Sequence, residues 1–102
     1  MKKLYIDDLR RPPDTSWDLV RNTSDAIIYV MTNGCPDEIS FDYCLANGQN
    51  IMPFIKWLIE QDTLNTGFIP KNFEFDSHSS SDYGTQLIYD TLNNYLKSRK
   101  IP

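Results

Sequence analysis

The sequence is poor in the residues that build covalent or metal frameworks. It holds two cysteines, Cys35 and Cys44, and one histidine, His78. Two thiols and one imidazole cannot close a four-ligand zinc site of cysteine and histidine, and the cysteine spacing fits no zinc signature. They read as two free thiols of a reducing compartment. Any imidazole acid–base chemistry must pass through His78. Basic charge is also short: the formal net charge is −4. That excludes coating of duplex DNA and binding to a membrane surface, since both need a basic field. No apolar run approaches the roughly 18 residues of a membrane span. Met1-Lys2-Lys3 is basic, but Asp7 and Asp8 interrupt any signal-peptide core. The expectation is a cytoplasmic protein, in the host cytoplasm if the chain is phage-encoded.

What is present fits one α/β domain over residues 1–102. Leu4 and Ile6 alternate with Lys3 and Tyr5 in a first strand from Lys2 to Ile6. Pro12 and Pro13 forbid a helix directly after it. Trp17 to Val20 is a short second strand. Asn22 to Asp25 offers helix caps, Ile27, Val30 and Met31 follow at helical spacing, and Asn33-Gly34 ends that helix. Glu38 to Asp42 is a third strand. Ile51, Phe54, Ile55, Leu58 and Ile59 form one apolar helical stripe, with Pro53 confined to its first turn. Asn72 to Asp76 is a fourth strand. A last helix runs from about Asp82 to Lys97, with Ile88, Thr91, Leu92, Tyr95 and Leu96 on one side.

Strands alternating with helices imply a mostly parallel sheet. The short, half-polar second strand and the Glu74-bearing fourth suit the edges, so the expected order is 2-1-3-4. Buried central strands would make this a three-layer domain with flanking helices. Ligands of such sheets bind beyond the carboxyl ends of the strands, where the strand order reverses. Asp7 and Asp8 stand at the first of these ends, Asp42, Tyr43 and Cys44 at the third, and Asp76, Ser77 and His78 at the fourth.

Close carboxylates repel, so one must hold a proton or a cation must sit among them. Mg²⁺ is the expected cofactor, with Asp7, Asp8 and Asp42 as ligands, because it takes oxygen donors and bridges carboxylates to phosphate. Arg10 and Arg11 would grip a phosphate, with Ser77 and Ser79 donating to its oxygens. His78 and Asp42 are the expected catalytic pair. Each motif also has a plain structural use. Aspartates favour turns, serines cap helices, exposed arginines offset an acidic chain, and Trp17 and Trp57 pack. Cys44 reads as buried and inert, since nothing basic adjoins it in sequence. The case for a site is convergence of three strand ends on one rim.

"YIDDLR" and "ISFD" resemble the first and third strand ends of receiver domains of two-component signalling. That resemblance would make Asp7 and Asp8 metal ligands, Asp42 a phospho-acceptor or third ligand, and Ser77 the hydroxyl residue. A receiver, however, has a helix after its acidic pair and a fifth strand bearing a lysine. This chain has "LRRPPDTS" and no such strand, which makes phosphotransfer the weakest reading. The chain is more similar to a compact receiver-like family named for cyclic-phosphate processing, found in bacteria and their phages. Its pattern runs D-D-x-R-x-P-P, Trp, D-H-D-L, H-S-x-N. Here stand Asp7-Asp8-Leu9-Arg10-Arg11-Pro12-Pro13, Trp17, Asp42-Tyr43-Cys44-Leu45 and His78-Ser79-Ser80-Ser81. Tyr43 and Cys44 replace a histidine and an aspartate of the second motif. The resemblance implies one of two functions. The first is a metal-dependent phosphoesterase binding and hydrolysing a cyclic phosphate or nucleotide. The second is a catalytically degenerate module that binds a nucleotide or a protein partner, such as a phage accessory or anti-defence factor.

Overall fold

Short runs of alternating polarity fold into four four-residue strands: β1 (Lys3–Ile6), β2 (Trp17–Val20), β3 (Glu38–Phe41) and β4 (Glu74–Ser77). A computed structural model describes residues 1–100 and arranges them in one parallel sheet of order β2-β1-β3-β4. Residues 101 and 102 of the expected domain lie outside the described residues. Three α-helices follow the last three strands: α1 (Thr23–Asn33), α2 (Met52–Leu64) and α3 (Asp82–Ser98). The expected topology is therefore the observed one.

The helix ends follow from local chemistry. Asn22 caps α1 by accepting from the Asp25 amide at 2.8 Å, and Gly34, at φ 82°, ends it. Pro53 sits in the first turn of α2, where no amide donor is needed. Ser81 caps α3 by accepting from the Gly84 amide at 3.0 Å. The fourth strand begins two residues later than expected. Phe73 donates to the Pro70 carbonyl at 3.1 Å, so the chain is still turning there, and pairing starts where Glu74 donates to Asp37.

The register explains the layers. Leu4 pairs with Asp18 and Ile39, and Ile39 with Phe75; Tyr5 pairs with Leu19 and Ser40, and Ser40 with Asp76. Residues in register share a face and neighbours along a strand alternate. Leu4, Ile6, Ile39, Phe41 and Phe75 therefore project from one face. They join Ala26 and Val30 of α1, Phe54, Ile55 and Leu58 of α2, and Ile88 and Leu92 of α3 in one core. Both helical crossovers step the same way across the sheet, so their right-handedness puts the helices on the same side. The expected third layer is thus corrected to two. The opposite face carries Trp17, Leu19, Lys3, Tyr5, Glu38, Ser40, Glu74 and Asp76. Among the described residues no helix contributes to it, because the proline-bearing loop follows β1 directly. No helix of the described residues is long and apolar enough to cross a membrane.

Candidate functional site

Asp7, Asp42 and His78 are each the first residue beyond a strand. The ladder continues through them. Asp42 donates its amide to the Ile6 carbonyl at 3.0 Å, and His78 to the Phe41 carbonyl at 2.9 Å. Extending the register by one residue sets Arg21, Asp7, Asp42 and His78 in a single row across the sheet. That row lies two residues beyond Leu19, Tyr5, Ser40 and Asp76, on the helix-free face. Ligand atoms of Asp7, Asp42 and His78 all lie within 4.8 Å of one another.

His78 is fixed on three sides. Its ring stacks on Tyr5 with centroids 4.2 Å apart and planes inclined by 7°. Nε2 lies 2.9 Å from Oδ2 of Asp7. Nδ1 lies 2.8 Å from Oγ of Ser40, whose hydroxyl is also 2.9 Å from Oδ1 of Asp76. Asp7 is buried, at 1% exposure. Burial pushes its carboxyl up, but the amides of Arg10 and Leu9 and the His78 side chain outweigh that, and the net shift is down. An ionised Asp7 can only accept, so Nε2 carries a proton in this network. Asp42 moves the other way: burial raises its carboxyl and the Asp7 charge raises it further, against His78, Ser79 and Arg10. Two adjacent carboxyls are thus driven apart in acidity.

The remaining candidates scatter. Asp8 is half-buried and outside the Asp7–Asp42–His78 group; the chain bends there, with the amides of Leu9 and Arg10 turned back onto Asp7. Arg10 reaches the site, donating from Nη1 to the His78 carbonyl at 2.8 Å. Arg11 instead lines a groove with Trp17 and Arg21. Ser79 acts on the Asp42 carboxyl from the loop after β4, drawing it down against burial, and its hydroxyl accepts from the Ser81 amide at 3.1 Å. Ser77 lies in register with Phe41, on the helix-covered face, and its hydroxyl is 2.9 Å from that of Thr85 in α3. Asp76 lies within β4 rather than at its end and reaches His78 only through Ser40. Cys44 is exposed, which corrects the expectation of burial: it sits on a loop and bridges to Asn50 rather than entering the core. Burial pushes the Cys35 thiol up to about 12, so it is inert as a nucleophile.

Three contributors lie outside the expected site residues: Tyr5, Ser40 and Arg21. Arg21 donates from Nη1 to the carbonyls of Asp7 (3.2 Å) and Arg10 (2.9 Å), holding the loop after β1. The signal for Tyr5 and Ser40 was their place one alternation before Asp7 and Asp42.

A divalent cation fits this donor set in a restricted way. Oδ1 of Asp7 already accepts two amides, from Leu9 (2.8 Å) and Arg10 (2.9 Å). Oδ2 keeps one lone pair beyond its bond to His78. Asp42 offers a buried carboxylate whose charge a cation would offset. Both ring nitrogens of His78 are engaged, by Asp7 and Ser40, so the donors left for a cation are the two carboxylates, oxygen ligands of the kind Mg²⁺ takes.

A parallel sheet of order 2-1-3-4 with a carboxylate-bearing rim beyond its strand ends defines a receiver-like α/β domain. The chain belongs to the family described as the cyclic-phosphate processing Receiver domain, which matches residues 2–94. No curated protein and no solved structure matches it.

Proposed function

We propose that this domain binds a cyclic phosphate ester at the Asp7–Asp42–His78 crevice and hydrolyses it. The observation that carries this reading is the convergence of Asp7, Asp42 and His78 within 4.8 Å of one another at three strand ends, with the two carboxyls driven apart in acidity, Asp7 down and Asp42 up. Such a split separates a fixed charge from a proton carrier. In hydrolysis a water oxygen bonds to phosphorus and gives up a proton, one ring P–O bond breaks, and the leaving oxygen takes up that proton. Asp42 is the group suited to exchange that proton, because its charged form is penalised. Both ring nitrogens of His78 already have protein partners. His78 protonates the leaving oxygen only by releasing Asp7, so its resting role is to orient Asp7. Arg10 spends Nη1 on the His78 carbonyl and offers its other N–H groups to a phosphate oxygen. Where Asp7 and Asp42 held a divalent cation, Asp42 would stay ionised as a ligand and the cation would polarise the phosphate in place of that proton role.

The test is ³¹P NMR of 2′,3′-cyclic AMP and of an oligonucleotide ending in a 2′,3′-cyclic phosphate, with and without Mg²⁺. Conversion to a phosphomonoester by the wild type and not by Asp42→Asn supports the reading. Absence of product with every substrate and ion overturns the hydrolytic part. A titration with Mg²⁺ followed by tryptophan fluorescence separates the ligand sets. Loss of the response in Asp7→Asn but not Asp8→Asn supports the Asp7–Asp42 pair.

One observation favours a second reading, binding without turnover. Tyr43 stands where the family pattern has histidine, and its ring packs against Gly84 and, edge-on at 6.1 Å, against Tyr83. That position is thereby committed to holding the start of α3. Saturable binding of the cyclic ligand with no product would support this reading.

A further inference from the structure

The helix-free face leaves a groove beside the crevice. It has a volume of about 620 Å³ and is lined by Arg11, Pro12, Trp17, Leu19 and Arg21, with Asp14 and Thr15 at its rim. This is the size of a small-ligand site. Its floor is fixed: Trp17 packs edge-on against Tyr5 at 5.9 Å, and the Lys3 ammonium lies 4.7 Å over the indole ring. Its wall is tied to the crevice, because Arg21 holds the carbonyls of Asp7 and Arg10.

The geometry points to this groove as a nucleobase subsite, so that the ligand of the neighbouring crevice is a nucleotide rather than a base-free phosphate. The assignment rests on the phosphate-binding reading above and adds the identity of the ligand's other end. Two features carry it. The first is distance. Leu19 is in register with Tyr5, and Tyr5 carries the His78 ring. Trp17 lies further back along its strand, in register with Lys3, but its ring packs 5.9 Å from that of Tyr5, whose other contact is the His78 ring at 4.2 Å, so a single aromatic ring separates the groove floor from the imidazole of the crevice. A ribose spans that interval. The second is complementarity. An indole and two apolar side chains suit the faces of a planar ring. Arg11 and Arg21 outnumber the single carboxylate of Asp14, in a chain whose net charge is −4. A local cationic, aromatic groove on an acidic protein selects an aromatic anion.

The experiment compares 2′,3′-cyclic AMP with two base-free probes, ribose 5-phosphate and inorganic phosphate, by equilibrium dialysis against the full chain. The expected result is a preference of about ten-fold or more for the nucleotide, the usual scale of base stacking on an aromatic side chain. Trp17→Leu removes that preference and leaves base-free binding unchanged. Arg11→Ala, at an exposed loop position that does not support the fold, weakens the nucleotide by about three-fold or more and guards against a folding defect in the tryptophan variant. Equal affinity of the wild type for nucleotide and base-free probes overturns the base subsite and leaves the phosphate site standing. Failure of every probe to bind overturns both. A nucleotide preference that survives both variants places the base elsewhere and overturns the assignment. Self-association lost in both variants, without a nucleotide preference, makes the groove an interface for a second copy and overturns it too.

Discussion

Nε2 of His78 lies 2.9 Å from Oδ2 of Asp7, across 71 residues of chain. The contact closes the sheet's rim, since Asp7 also accepts the amides of Leu9 and Arg10. Removing its charge should loosen the whole loop. Asp7→Asn is expected to cost about 1–3 kcal/mol at neutral pH, the usual scale for losing charged hydrogen bonds in a buried place. The pH dependence has a definite sign. The folded carboxyl sits below its ordinary range, so its stabilisation is present above that range and is lost as pH falls through the depressed value. Urea midpoints of wild type and variant should converge in acid. A gap of constant size at every pH would sink the assignment.

Asp42 carries the opposite expectation. Its folded carboxyl is raised, so ionising it works against the fold as pH climbs above the ordinary carboxylate range. Asp42→Asn keeps the shape and removes the charge. It is expected to stabilise the protein by on the order of 1 kcal/mol at neutral pH while abolishing turnover. The stability gain should vanish in acid, where the wild-type carboxyl is protonated. A destabilised, fully active variant would show that Asp42 is neither strained nor catalytic.

The strand order was readable because Pro12-Pro13 cannot form a helix and because two of the four short runs are half polar. The single helical layer was readable in principle, since order 2-1-3-4 with right-handed crossovers forces it; burial of the central strands pointed to three layers instead. Asp7, Asp42 and His78 were found from their places at strand ends. Asp8 and Ser77 show why the rest of the site was not. A period of two sends alternate residues to opposite faces. Ser77, the last residue of its strand, thus faces Thr85 on the helix side, while Asp8 lies in a bend beyond the first strand, where no strand pattern places it. Tyr5 and Ser40 sit inside strands that the sequence marks, but a ring stack and a hydroxyl bridge to His78 depend on a loop conformation that no local pattern specifies.

Far from the crevice, Asp62 anchors the end of α3. It is buried at 1% exposure and accepts from the amide of Ile69 at 2.8 Å, the Tyr95 hydroxyl at 2.6 Å and Nη1 of Arg99 at 3.1 Å. Arg99 also donates to the carbonyls of Ile69 and Pro70. Truncating one partner leaves a buried charge without its counter-ion, typically a loss of about 3–5 kcal/mol. Arg99→Leu is expected to lose that much in urea unfolding, with nucleotide binding unchanged below the transition. A loss within about 0.5 kcal/mol, the scale of ordinary surface substitutions, would reduce the cluster to a surface pair.

Gly84 is the residue that lets Tyr43 lie against α3. A Cβ there would stand 2.2 Å from Cγ of the tyrosine ring and 2.5 Å from its Cβ. In an open helix, Gly→Ala gains about 1 kcal/mol; here the clash reverses the sign. Gly84→Ala is expected to destabilise by about 1–3 kcal/mol, the scale of overpacking. The double variant Tyr43→Ala, Gly84→Ala should recover most of that loss, since the ring that clashes is gone. The two residues then form a matched pair. Equal losses with and without the ring would assign the glycine to backbone demands alone. Recovery of stability without any change in ligand turnover would place position 43 in helix packing and outside the chemistry.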